Sequence, residues 1–113
     1  MNPITTVLVL LVAALLEAGG DALVRSGLHA STAVVRTLFF LIGSVVLFGY
    51  GYTVNVVPWD FGRLLGLYVV FFFVIAQVIS WVVFHQRPSP AVLLGGVFIV
   101  IGGVIISFAS SAQ

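Results

Sequence analysis

Four long apolar segments, separated by short links, are the feature that most constrains how this chain can fold. They cover about residues 4–25, 33–54, 61–84 and 90–109. Each is close to the roughly 20 apolar residues that an α-helix needs to cross a bilayer. Because backbone amides and carbonyls find no hydrogen-bond partner in lipid, such segments must be helices and not open sheet. The sequence therefore predicts an all-α membrane protein, a small antiparallel bundle of four transmembrane helices in one domain over residues 1–113.

Composition agrees with a membrane protein and excludes several other classes. Of the 113 residues, 62% are hydrophobic and 6% are charged, whereas about a quarter of a soluble domain is charged. The chain has no cysteine and two histidines far apart in sequence, which predicts no metal site. Its net charge of +1 and the lack of a glycine-rich phosphate loop predict neither a nucleic-acid partner nor a nucleotide cofactor. We expect no enzyme activity, because no nucleophile–base pair is recognisable.

The first segment carries a carboxylate, Glu17, at a depth where a charge is costly. A charged side chain near the centre of a transmembrane helix costs at least about 2.5 kcal/mol on insertion scales. We do not expect a chain with so few charges to carry that cost without a use. We interpret Glu17 as a group that alternates between a bound proton and a bound cation. The alternative is a structural ion pair with Arg63 or Arg25.

Small and acidic residues surround Glu17 on its helical face. At helical spacing, its neighbours are Ala13, Ala14, Gly20 and Asp21. Small neighbours leave room for a cavity or for the close approach of another helix. Asp21 is either part of the same site or an interfacial charge that pairs with Arg25 at i,i+4.

The third segment supplies aromatic and basic candidates for the same site. Tyr68 is an aromatic side chain that could stack on a cation, or alternatively a packing residue. Trp59 is a second candidate wall, and Tyr50 and Tyr52 are candidates for the mouth. Arg63 is either a gate that releases Glu17 when substrate arrives or a residue that extends its guanidinium to the interface. The candidate substrate and proton site comprises Glu17, Tyr68, Asp21, Trp59 and Arg63.

Paired glycines in the fourth segment predict a close helix contact. Gly95-Gly96 and Gly102-Gly103 recur after seven residues and form two adjacent rows on one face. Small residues allow membrane helices to approach closely. The contact is either within the chain or with a second copy. Because four helices of this length scarcely enclose a cavity, we favour a homodimer.

The distribution of basic residues suggests an orientation in the membrane. Arg25, Arg36 and Arg87 lie at the first and third links, and Arg63 lies near the second. Basic residues concentrate on the cytoplasmic side of membrane proteins. The pattern therefore favours the first and third links in the cytoplasm and both termini outside. The excess of arginines at the first and third links is small, so insertion of the chain in both orientations stays open. The N-terminal run lacks the basic region of a cleavable signal peptide, and we expect it to be retained as a helix.

Several short motifs, spread over nearly the whole chain, match a single known family. They are Met1-Asn2-Pro3, Glu17 with Gly20 and Arg25, the segment from Ser80-Trp81 to Gln86-Arg87, and Gly96 with Gly103 and Val104. With these residues the chain resembles the small multidrug resistance family, four-helix transporters of the drug/metabolite transporter superfamily.

The resemblance implies a function and an assembly. Family members export lipophilic cations, quaternary ammonium compounds or guanidinium ions in exchange for protons, across the plasma (inner) membrane of prokaryotic cells. They are antiparallel homodimers, in which one first-helix acid from each subunit serves proton and substrate. By resemblance that acid is Glu17, and Gly96 and Gly103 make the dimer contact. The implied partners are therefore a small organic cation, protons, the lipid bilayer and a second copy.

The third segment departs from the drug exporters of that family. Counted from Gly62, the tyrosine position holds Leu65, the tryptophan position holds Tyr68, and the kink glycine is missing. Gly62-Arg63 with Tyr68 is more similar to the YnfA-like branch. Two other functions stay open. One is a lipid-carrier flippase subunit, to which Arg63 and the Phe71–Phe73 cluster would be suited, and the other is a non-transporting interaction protein.

Overall fold

The computed structural model describes residues 1–109 and contains four α-helices within them. These are α1 (Pro3–Leu28), α2 (Ala33–Asn55), α3 (Phe61–Phe84) and α4 (Pro90–Ser107). All four are long and apolar enough to cross a membrane. The predicted all-α fold with four membrane-length helices is confirmed. The single domain over residues 1–113 stays a prediction, and its residues 110–113 lie outside the described part.

Three of the helices begin at side-chain caps that the sequence encodes locally. Asn2, Thr32 and Ser89 each accept a hydrogen bond from the backbone N–H three residues later, at 2.8, 3.2 and 3.2 Å. Pro3 and Pro90 follow two of these caps as first helical residues, where a missing N–H is not needed. Local capping therefore fixes the start of α1, α2 and α4.

The first helix ends at Leu28, later than the predicted end at residue 25. Its last turn is stabilised by a side chain from α2, because the Arg36 guanidinium donates to the carbonyl oxygens of Gly27 and Ala30 at 3.3 and 3.2 Å. Carbonyls at a helix end need such partners. The extra turn therefore depends on a contact between two helices, which a pattern within the first segment does not reveal.

The helices pack as an open row, in the spatial order α2, α1, α3, α4. Within residues 1–109, α4 packs on neither α1 nor α2, and α2 meets α3 only through side chains near its end, where the rings of Tyr50 and Tyr68 have centroids 5.4 Å apart. The two central helices, α1 and α3, therefore carry the interior of the protein. One copy alone does not close a chamber around that interior.

A small core forms where the first half of α1 meets the end of α2 and the start of α3. Its buried members are Leu10, Ala13, Ala14, Val54, Val57, Leu64 and Tyr68. Many other large apolar side chains are exposed, as expected for helices that face lipid. Close packing of α1 on α2 occurs at Gly20, where an added Cβ would lie 2.7 Å from the Leu47 side chain.

Candidate functional site

A hydrogen bond joins the acid of α1 to the tyrosine of α3. The Tyr68 hydroxyl donates to Glu17 Oε1 at 2.9 Å. Tyr68 is 4% exposed, and Glu17 is half-buried. Ala13 and Ala14, which precede Glu17 on its face, are fully buried and allow α3 to approach. The carboxylate therefore faces α3 and not the lipid tails.

Aromatic rings line the position next to Glu17. Tyr50 and Tyr68 have ring centroids 5.4 Å apart, and those of Tyr68 and Phe72 are 6.3 Å apart. Faces of aromatic rings attract cations, so the row is suited to an organic cation held by the carboxylate. The sequence suggested Tyr50 only for the mouth, and Phe72 only as part of the cluster suited to a lipid carrier. Tyr52 is 70% exposed and takes no part in the row.

No arginine neutralises Glu17 in the part of the chain that the structure describes. The Arg25 guanidinium lies over the Phe84 ring, 5.3 Å from its centroid. The Arg63 guanidinium lies over the Trp59 ring at 3.8 Å. The structural ion pair that the sequence left open is therefore not formed, and the hydrogen bond from Tyr68 is the polar contact of this acid.

Arg63 and Trp59 lie together at the start of α3. Arg63 precedes Tyr68 by five residues, which is about 7.5 Å along a helix axis. Its Nη2 donates to the carbonyl oxygen of Ser107, the last residue of α4, at 2.9 Å. Such a cation also interacts favourably with the negative end of the helix dipole. The structure thus places these two predicted site residues where α3 begins and α4 ends, and Arg63 makes its polar contact there and not with Glu17.

Asp21 lies one turn beyond Glu17 and lines a neighbouring cleft between α1 and α3. The cleft has a volume of about 230 Å³ and is also lined by Ala18, Arg25 and Phe72. Asp21 is exposed and forms no ion pair with Arg25 among residues 1–109. The interfacial pair that the i,i+4 spacing predicted as one alternative is therefore not formed.

The two glycine rows of α4 face different surroundings. An added Cβ at Gly96 would press on the Phe73 ring, and one at Gly103 would overlap the Val70 side chain. Gly95 and Gly102 have open space around them. Within one copy α3 covers Gly96 and Gly103, and the dimer contact that the family resemblance implies for them stays a prediction. The homodimer itself stays a prediction.

Four membrane-length helices with an acid–tyrosine pair between the two central ones define a multi-pass membrane protein with a polar site at membrane depth. Over residues 3–112 the chain matches the family described as "Uncharacterised BCR, YnfA/UPF0060 family". It belongs to that family. The predicted likeness to the YnfA-like branch is therefore confirmed as family membership. The link between that branch and the third-helix residues Gly62, Arg63 and Tyr68 stays a prediction.

Similar proteins from three bacteria carry the name UPF0060 membrane protein. The one from Herpetosiphon aurantiacus is 29% identical over 110 residues, 96% of this chain and 97% of that protein. Those from Clostridium perfringens and Clostridium beijerinckii are 30% and 28% identical over 111 residues, again 96% of this chain and 97% of each protein. No solved structure matches the chain.

Proposed function

We propose that this protein is a proton-coupled antiporter that exports small or lipophilic organic cations, such as quaternary ammonium or guanidinium compounds, across a prokaryotic plasma membrane. The observation that carries the proposal is the hydrogen bond from Tyr68 to Glu17, formed without an arginine partner in the described residues. An acid at membrane depth is costly to keep. A carboxylate held by a neutral hydroxyl keeps its full charge available for a ligand.

Exchange follows from competition at one carboxylate. Glu17 holds either a proton or a cation, because the protonated acid is neutral and no longer attracts a positive charge. The rings of Tyr50, Tyr68 and Phe72 offer their faces to an organic cation beside that acid. A cycle in which the cation leaves on one side and the proton enters on the other therefore needs no further ionisable group.

The working unit of this proposal is an antiparallel homodimer. One open row of helices does not enclose Glu17, since α4 contacts only α3 in the described chain. The outward row of Gly95 and Gly102 offers a surface on which a second α4 can pack closely. In the dimer two copies of Glu17 share one chamber, and their titration belongs to the pair.

Contacts of Arg63 favour the antiporter over a lipid-carrier flippase subunit. The flippase alternative needs Arg63 for a lipid phosphate. Its Nη2 is bound to the Ser107 carbonyl and its guanidinium is stacked on Trp59. Phe73, a member of the cluster suggested for a lipid tail, packs on Gly96 of α4. These side chains hold α3 to α4.

The test is current recording on solid-supported membranes with purified protein in liposomes. A panel of guanidinium and quaternary ammonium compounds is applied to the unchanged protein, to Glu17→Gln and to Asp60→Asn, which removes the carboxylate of the residue directly before α3. We expect proton-coupled currents from the first and third proteins and none from Glu17→Gln. Absence of proton movement with every compound, or equal currents from Glu17→Gln, would contradict the proposal.

A further inference from the structure

The cleft between α1 and α3 contains two opposite charges that do not neutralise each other. Asp21 and Arg25 both line it, and a spacing of four residues on a helix normally permits an ion pair. The Arg25 guanidinium lies instead over the Phe84 ring, 5.3 Å from its centroid. Within the described residues Asp21 has no ion pair and no side-chain hydrogen bond. The cleft therefore presents a negative and a positive group to whatever enters it.

The remaining walls are suited to a small ligand with a short apolar middle. Phe72, Ala76 and Ile79 supply apolar surface, and Gln86 supplies an amide at the mouth. The Ser80 hydroxyl is already engaged, since it donates to the Gln86 carbonyl oxygen at 3.2 Å. The volume of about 230 Å³ is below that of pockets for drug-sized molecules. Only a compact ligand fits.

We propose that this cleft binds a small zwitterion, with its ammonium group against Asp21 and its carboxylate, phosphate or sulfonate group against Arg25. Each protein charge then gains the counter-charge that the fold withholds from it. A simple cation is attracted by Asp21 but repelled by Arg25, and a simple anion is attracted by Arg25 but repelled by Asp21. Asp21 and Arg25 are about 6 Å apart along the helix axis and their side chains form no ion pair, so ligands whose two charges are well separated are favoured.

The order of the charges argues for a soluble zwitterion over a phospholipid head group. Arg25 is nearer the end of α1, where a second hollow lined by His29 and Gln86 continues from the cleft. Asp21 lies one turn deeper. A phospholipid of the adjacent leaflet carries its phosphate deeper than its ammonium, which is the opposite order. A soluble molecule can enter with its ammonium group first.

This site adjoins the one proposed for transport and shares the Phe72 ring with it. The cleft is not lined by Glu17, Tyr68 or Tyr50, so the charges that would hold a zwitterion are not the acid that exchanges protons. In Glu17→Gln, which removes the proposed transport, zwitterion binding should persist. Failure of one proposal is therefore distinguishable from failure of the other.

The test is isothermal titration of the full chain in phosphatidylglycerol nanodiscs with glycine, β-alanine and γ-aminobutyrate. Butylamine and butyrate serve as the two halves of the longest probe. We expect γ-aminobutyrate to bind at least about tenfold more tightly than glycine or either half, because only it reaches both charges about one turn apart. Equal affinity for butylamine and γ-aminobutyrate would overturn the proposal, since Arg25 would then contribute nothing.

Variants separate the two charges. Asp21→Asn should weaken binding of γ-aminobutyrate and of butylamine, whereas Arg25→Gln should weaken only γ-aminobutyrate, each by about tenfold, which corresponds to about 1.4 kcal/mol. Both side chains are exposed, so the fold should persist, and melting curves check this. Arg87→Gln is the matched control, because Arg87 lies over Trp81 and outside the cleft. Loss of binding in this control equal to that in Arg25→Gln would contradict the proposal.

Lipid composition tests whether the zwitterion in the cleft is a phospholipid head group and not a soluble molecule. When phosphatidylethanolamine replaces part of the phosphatidylglycerol, γ-aminobutyrate should bind as before. Competitive weakening by phosphatidylethanolamine would mean that the cleft holds a lipid head group, and it would overturn the assignment to a soluble zwitterion.

Discussion

Tyr68 of α3 donates a hydrogen bond to Glu17 of α1 across 51 positions of sequence, with 2.9 Å between hydroxyl and carboxylate oxygens. Buried Ala13 and Ala14 make this approach possible, because neither presents a side chain large enough to hold α3 away. The bond orients the carboxylate into the space between the two central helices. Polar groups that lie inside a membrane protein in this way usually serve its function.

Removal of the Tyr68 hydroxyl tests whether this orientation matters. Tyr68→Phe keeps the ring and its contacts with Tyr50 and Phe72, so the fold should persist. A hydrogen bond to a charged group contributes about 1.5–3 kcal/mol, and we therefore expect cation affinity to fall by about tenfold or more. Titration calorimetry measures the change. Tyr52→Phe is the control, since Tyr52 is 70% exposed; an equal effect of both substitutions would contradict the prediction.

The glycine rows of α4 predict opposite results at adjacent positions. Gly103→Ala forces a methyl group into the Val70 side chain, whereas Gly102→Ala adds one in open space. Overpacking of this kind costs about 1–3 kcal/mol. Thermal unfolding in detergent should therefore show a lower midpoint for Gly103→Ala and little change for Gly102→Ala. Equal midpoints would mean that α3 and α4 do not pack in this way.

The outward glycine row predicts the position of the dimer contact. Gly102→Leu places a large side chain on the face that is free in one copy, so it should reduce the dimer fraction without loosening α4 from α3. Chemical cross-linking in liposomes measures that fraction, and melting curves of the same samples report the fold. A dimer that persists with Gly102→Leu, but is lost with a bulky residue on α2, would place the interface elsewhere.

Arg63 is predicted to stabilise the hairpin of α3 and α4 and not to gate the acid. Arg63→Gln removes the stacking on Trp59 and the bond to the Ser107 carbonyl. A charged hydrogen bond of this kind is worth about 1.5–3 kcal/mol, so the unfolding midpoint should fall while proton-coupled transport is retained. Lost transport with an unchanged midpoint would identify Arg63 as the gate that its sequence position also allowed.

The number of helices and the inner face of α1 can be predicted from the sequence, because each depends on a single segment. Segment length against bilayer thickness determines how many helices span the membrane. Helical periodicity places Ala13 and Ala14 beside Glu17, and the structure buries both. These properties belong to single segments, so they can be read without knowledge of the packing.

Partners across helices are less predictable, because they depend on which faces meet in three dimensions. Arg25 has a nearby carboxylate at Asp21 but lies over Phe84, which follows it by 59 residues. Gly103 has the right spacing for a contact with a second subunit, yet α3 covers it. Helical spacing predicts neither the stacking of Arg63 on Trp59, which lies before the first residue of α3, nor the bond from Arg63 to Ser107.

Proton release on cation binding is the most direct test of the central claim that both ligands share Glu17. The measurement is the pH change in weakly buffered solution, together with the apparent cation Kd over a range of pH, for the unchanged protein and Glu17→Gln. Competition predicts that binding releases protons and that affinity weakens as pH falls, by up to about tenfold per pH unit for one proton. It also predicts that Glu17→Gln abolishes the release. Tight cation binding that releases no protons and does not vary with pH would contradict the account.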